Sequence, residues 1–352
     1  MNININVSNI NKLFFSNQNY EYNNKKYRHK IVNFSYHIAN EVKICEKIKK
    51  IQYYSNNFSI LEDYECLNIS QLNENIIEKL VDINKVQYYL FKYDDKNSID
   101  FTDFLYNSTN IKKLIFDIIN SFEHILQSLS ILNDNNICFF DIRPQKILYL
   151  ESYREKPVLS NFKLSLNINK LDFQYISFIL NKIEDFTYLP FEIHVLFYIV
   201  NNNLETISYS FIEEFCENYI ENLYILNLFS KEYKITYKHE CIETLRKYIN
   251  QPKKLIIKNI LERNDKWDIY GISTLYLQIF GCIFRVFSLK ETFLSKIIIE
   301  LSKNLNPDSN KRMDIETTLN IFKKHLNQQN DWKFINNLDN NKLSQLFDEL
   351  AK

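Results

Sequence analysis

The chain has 352 residues, room for one large domain or two of ordinary size. Lys plus Arg and Asp plus Glu each number 43, so no overall field draws it to nucleic acid or to an anionic membrane. A hydrophobic fraction of 45% supports a sizeable core, and with only 2 Gly the turns must fall largely to Asn.

The sequence is rich in Asn, Ile, Lys, Tyr and Phe, a skew of the kind AT-rich coding imposes. Six cysteines, at positions 45, 66, 138, 216, 241 and 282, are scattered without a Cys-x-x-Cys pair. They suit neither a zinc site nor a disulfide framework, and a reducing compartment is expected. No basic-then-apolar signal segment opens the sequence. The longest apolar stretch, about 269–289, carries Gln278 and Arg285 and predicts a buried helix rather than a membrane span.

In chain order, residues 21–27 read as a hairpin turning on Asn23-Asn24, with its second strand over 27–34. A helix is predicted over 36–51, with Ile38, Val42, Cys45, Ile48 and Ile51 on one side. Further strands are expected at 61–69 and 86–93. The clearest helix follows, because Ile111, Leu114, Ile118, Phe122, Ile125, Leu129 and Leu132 recur at three and four. Asn133-Asp134-Asn135-Asn136 ends it. Cys138-Phe139-Phe140 then leads into Asp141-Ile142-Arg143-Pro144, and Ile147-Leu148-Tyr149 reads as a short strand. Glu192 and Asp268 are 76 positions apart, and Ile212, Phe215, Tyr219, Ile220, Leu223 and Leu226 mark an amphipathic helix between them. Loops that long without structure are uncommon, so 201–262 should fold as packed helices. After about 325 the chain reads as one or two further helices.

The run from Asp141 to Leu148 resembles the catalytic loop of the protein kinase superfamily, His-Arg-Asp-Leu-Lys-Pro-x-x-Asn-Ile-Leu. Asp141 falls on the catalytic Asp, Arg143 on the Lys and Lys146 on the metal-binding Asn. Four more stretches match in the same order. Val158-Leu159-Ser160-Asn161-Phe162-Lys163 resembles the strand into Asp-Phe-Gly, with Asn161 at the Asp and Lys163 at the Gly. Tyr188-Leu189-Pro190-Phe191-Glu192 resembles the Ala-Pro-Glu that closes the activation segment. Trp267-Asp268-Ile269-Tyr270-Gly271 resembles the start of the central helix, and Asp308-Ser309-Asn310-Lys311-Arg312 the Asp-Pro-x-x-Arg run.

This resemblance covers most of 20–325 and implies an α+β, two-lobed protein-kinase-like fold. It would have an N-lobe at 1–97 with a small sheet and one helix, and a helical C-lobe at 98–325 carrying a helical insertion at about 201–262. An appended helical tail would occupy 326–352, and 93–97 would be the hinge. The Gly-rich loop has no counterpart, and Ser16-Asn17-Gln18-Asn19 occupies its region. The AT-rich bias, degenerate motifs and inserted helices together resemble the kinase-like proteins encoded by giant DNA viruses. A cytoplasmic location is expected, in the host cytoplasm or the virion if the chain is viral.

The resemblance also implies roles. Lys30 would hold nucleotide phosphates and Glu41 would pair with it, with Lys25 and Lys26 as competitors for the Lys30 role. Metal would be held at positions 146 and 161, where Asn161 offers one neutral oxygen and Lys146 a cation. ATP is therefore the candidate cofactor, Mg²⁺ is not expected and no metal ligand is assigned. Asp141, with Arg143 beside it, is the catalytic pair of an active enzyme. Otherwise Asp141 is a structural acceptor bonding backbone or Arg143. Glu192, Asp268 and Arg312 are scaffold: Asp268 bonds the backbone of the catalytic loop, and Glu192 and Arg312 form a buried pair.

Residues 231–258 carry Lys231, Lys234, Lys238, Arg246 and Lys253 among Tyr233, Tyr237 and Tyr248, a pattern open to a nucleic-acid surface. Glu232, Glu240 and Glu243 favour a solvated face instead, and nucleic acid is not the expected partner. His124 and His194 lie in apolar segments and read as packed core residues. The resemblance thus leads to a catalytically degenerate kinase-like protein, a pseudokinase, acting by protein or nucleotide binding. An active Ser/Thr kinase with a non-standard metal site around Asp141, and a structural or virion component reusing the fold, are the alternatives. The expected partner is a protein and not a membrane.

Overall fold

The computed structural model describes residues 19–22, 25–67, 88–94, 97–150, 156–287, 289, 292–327 and 333–351. It is an α+β protein of many helices and small antiparallel sheets. Among the described residues the strands are β1 (Asn19–Tyr22), β2 (Lys25–Asn33), β3 (Leu61–Leu67), β4 (Tyr88–Tyr93), β5 (Ser98–Asp100), β6 (Ile137–Cys138), β7 (Ile147–Leu150), β8 (Pro157–Leu159) and β9 (Leu166–Asn167). The helices run from α1 (Tyr36–Ile48) through α2 (Phe101–Tyr106), α3 (Ile111–Asp134), α4 (Phe173–Leu180), α5 (Phe191–Asn201) and α6 (Tyr209–Asn222). They continue with α7 (Lys231–Arg246), α8 (Lys253–Leu261), α9 (Trp267–Val286), α10 (Phe293–Lys303), α11 (Ile315–Leu326), α12 (Lys333–Asn336) and α13 (Leu343–Leu350).

The chain divides into two compact units, Met1–Phe101 with Lys146–Ser165, and Thr102–Gln145 with Leu166–Lys352. This grouping differs from the boundaries expected at 97 and 325. β7 pairs antiparallel with both β5 and β8, and these ladder bonds draw Lys146–Ser165 into the first unit. Asn40 adds two side-chain bonds, donating to the carbonyls of Lys163 and Ser165 at 2.9 Å each. The tail belongs to the second unit. Asn340 Oδ1 accepts from the Ile111 N–H at 2.9 Å at the start of α3, and the Tyr106 and Phe347 rings lie 5.3 Å apart.

In the first unit, β1-β2-β4-β3 form a fully antiparallel sheet. Tyr22 pairs with Lys25, as a two-residue connection requires, while Asn23 and Asn24 themselves lie outside the described residues. So do residues 16–18 and two of the expected hinge residues, Asp95 and Lys96. Ser35 caps α1 by accepting from the Ile38 N–H at 3.3 Å. The helix buries Ile38, Glu41, Ile44, Cys45 and Ile48, then stops short of 51 at the exposed Lys49 and Lys50.

In the second unit, Asn110 caps α3 through the N–H groups of Lys112 and Lys113, at 2.9 and 3.2 Å. The apolar stripe of α3 is buried, and Ser121 meets the Tyr276 hydroxyl of α9 at 2.6 Å. Among the described residues one helical run, Asn264–Val286, is long and apolar enough to cross a membrane, and 72% of its apolar window is buried inside the protein. The 201–262 segment is helical, with α6, α7 and α8 each burying an apolar face. Its first helix ends at Asn222 rather than running through Leu226, which lies in a short 3₁₀ turn, Tyr224–Leu228. Leu228 packs on Gly281 so closely that an added Cβ would come within 2.8 Å of it. Gly271 likewise lies where a Cβ would meet the Tyr188 carbonyl at 3.0 Å. Both glycines therefore serve close packing, and Asn136, Asn161, Asn203 and Asn250 take up left-handed backbone instead.

Candidate functional site

The 137–145 loop of the second unit is held from α9. Asp268 Oδ2 accepts from the Phe139 N–H at 2.8 Å and Oδ1 from the Phe140 N–H at 2.6 Å. These bonds hold Phe140 at φ 69°, a conformation an aromatic residue adopts only under constraint. Burial pushes the Asp268 pKa up to about 6 despite the two donors and a third bond from the Cys138 thiol. Asp141 follows, 2% exposed, and its Oδ1 accepts from Arg143 Nε at 2.6 Å. Arg143 Nη2 also donates to the Asp185 carbonyl at 3.2 Å. One oxygen of Asp141 is thus committed to a guanidinium.

Glu192 in the first turn of α5 and Arg312 form a bidentate pair, with Nη1–Oε1 and Nη2–Oε2 both at 2.7 Å. Arg312 Nε donates to the Asn306 carbonyl at 2.7 Å, and the guanidinium lies 5.1 Å from the Tyr270 ring centroid. The structure brings these two residues together as a finished, buried unit.

The first unit holds the other four residues, Lys30, Glu41, Lys146 and Asn161. Glu41 is 2% exposed on the buried face of α1. Its Oε1 accepts from the Tyr93 hydroxyl at 3.1 Å, and its Oε2 takes no hydrogen bond from the protein. Burial lifts its pKa above the usual carboxylate range, against the opposing pull of Lys163, Lys30 and Lys146. Lys30 on β2 keeps substantial exposure, yet partial desolvation with Lys163 and Arg28 beside it holds its pKa below the usual lysine range. The direct Lys30–Glu41 pair implied by the resemblance is not formed: neither Lys30 nor Lys163 donates a hydrogen bond to Glu41. Instead several ammonium groups share one carboxylate through space.

Lys146 is 5% exposed, and its carbonyl accepts from Ser160 N and Oγ at 2.8 and 3.2 Å. Asn161 is exposed, with left-handed backbone at φ 59° and ψ 68°. A cation and a neutral amide do not fit Mg²⁺, which prefers carboxylate and water. Among the described residues no three His, Cys, Asp or Glu side chains are grouped to hold a metal ion. Lys163 acts on Glu41 as well, from a position to which the motifs assign no charge. It stood only as a replacement for Gly, and the signal was there: a charge at a position the resemblance gives to a residue without a side chain.

The basic stretch is largely engaged. Lys238 pairs with Glu217, Arg246 with Glu243 at 2.5 Å, and Lys234 and Lys253 donate to Asn227 and Asn203 at 2.9 Å. Comparison with protein-family models and with curated proteins found no match to this chain.

Proposed function

We propose that this is a catalytically degenerate protein-kinase-like protein that acts by binding, with a nucleotide phosphate or similar anion held by lysine side chains rather than through metal. The observation that carries the reading is Glu41. Lys30, Lys146 and Lys163 all act through space on this one buried carboxylate, which gathers positive potential from three segments of the first unit around it. A phosphate suits such a positive potential, and ammonium groups bind it as point charges. Asn161 and Lys146 stand where the resemblance requires metal ligands, and neither suits that task. The commitment of Asp141 to Arg143 favours the binding reading over transfer chemistry.

A thermal-shift titration of the full chain with ATP, with and without Mg²⁺, tests this. Stabilisation should be equal in both conditions and should shrink in Lys163→Glu. A shift that requires Mg²⁺, with phosphate transfer abolished by Asp141→Asn, would favour the active kinase. No shift under either condition would leave a fold reused as scaffold.

A further inference from the structure

A cavity of about 440 Å³ opens within the second unit, walled by the chain just ahead of α5, by α5 and by α6. That size falls in the range of roughly 300–1,000 Å³ typical of small-molecule sites. Its wall is aromatic. The Phe186 ring lies 4.6 Å from Phe197 and 5.3 Å from His194, and Tyr198 lies 5.1 Å from Phe211 and 5.5 Å from Phe215. Tyr219 closes the set 4.8 Å from His194.

The charged groups on this wall have one sign. Glu184, Asp185 and Glu214 line it and are exposed, while no Lys or Arg does. His194 adds no positive charge at neutral pH, because its dense surroundings push its pKa down to about 4 while Nε2 meets the Leu189 carbonyl at 3.2 Å. Arg143 reaches this wall through the Asp185 carbonyl alone and is bound to Asp141 by its Nε.

We propose that this cavity binds an organic cation, a guanidinium or alkylated ammonium carried on an apolar stem. Aromatic faces carry negative electrostatic potential and attract such groups, while the carboxylates raise the local concentration of cations. The apolar stem fills the space between the rings. An anion would meet three like charges, and a neutral ligand would leave those charges unused. The inference stands apart from the kinase-like reading, since α6 belongs to the segment for which that resemblance has no counterpart.

The cation can be a free small molecule or an Arg or Lys side chain of a peptide. Isothermal titration of the full chain with benzyltrimethylammonium, and separately with the tripeptide acetyl-Leu-Arg-Leu-amide, distinguishes them. At least one should bind. Glu214→Lys should weaken that ligand about tenfold and Tyr198→Leu severalfold, because one reverses a charge and the other removes a ring face. Glu316→Lys, an exposed change on α11 away from the wall, should leave binding unchanged. Binding by the ammonium alone assigns a free cation, and binding by the peptide assigns a side chain. Should Tyr198→Leu fail to fold, Glu214→Lys carries the test. The proposal is overturned if neither probe binds, if acetyl-Leu-Glu-Leu-amide binds as well, or if Glu316→Lys weakens binding as much as Glu214→Lys.

Discussion

Glu192 and Glu41 are both buried, at 8% and 2% exposure, and their surroundings treat them in opposite ways. Glu192 gives both oxygens to one guanidinium that is itself pinned to the Asn306 carbonyl. Glu41 has one hydrogen bond, from Tyr93, and lysines that act on it only through space. A completed bidentate pair is scaffold: it leaves no donor or acceptor for a ligand. A buried carboxylate lacking a second donor costs stability, and an unsatisfied buried group calls for an explanation outside packing. The difference separates a carboxylate whose hydrogen bonding is complete from one whose hydrogen bonding is not.

The largest expected effect breaks the finished pair. Arg312→Ala should cost about 3–5 kcal/mol in urea denaturation, because it strands a carboxylate inside the protein. A loss under 1 kcal/mol would mean that Glu192 finds solvent or another donor.

A third buried carboxylate, Asp268, sharpens the comparison through pH. Its pKa is pushed up to about 6 in the fold from an ordinary value near 3.8. Between these values the folded state keeps a proton that the unfolded state has released. The Asp268 contribution is therefore fully present below about pH 4 and is lost as pH rises through 6. The stability difference between wild type and Asp268→Asn should fall by about 2 kcal/mol from pH 4 to 6.5, given 1.36 kcal/mol per pKa unit. Chemical denaturation across that range measures it, and a difference independent of pH would show that the two backbone donors outweigh burial.

The smallest effect on stability is expected at Glu41, where Glu41→Gln should change it by no more than about 1 kcal/mol, since little hydrogen bonding is lost and a desolvated charge disappears. Its effect on binding should be larger in kind. Removing the one negative charge among the lysines should tighten ATP binding in the absence of Mg²⁺. Weaker binding by Glu41→Gln would show that the carboxylate organises the lysines rather than competing with the ligand.

Much of the framework is legible along the chain because it rests on local rules. The recurring apolar positions of 111–132 read directly as α3, and Asn110 and Ser35 are helix caps by their chemistry. The shortage of Gly predicts Asn at left-handed positions, and Asn136, Asn203 and Asn250 occupy them. The Glu192–Arg312 contact came from matching two short motifs 120 residues apart, a long-range inference that periodicity alone does not offer. Lys163 was missed for the complementary reason: a motif assigns a role to each position and is silent about a charge placed where it expects none.

The order of the elements, their types and the identity of the buried faces were set by the sequence itself, since periodicity, caps and breakers act within a few residues. Tertiary structure alone decided which segments belong together. It joined Lys146–Ser165 to the first unit through β5-β7-β8 pairing, ended α6 at Asn222 with Leu228 packed against Gly281, and gathered lysines from three separate segments on Glu41. Hydrogen-bond ladders, close packing and Coulomb forces act between residues far apart in the chain, and their partners are chosen only when the chain has folded.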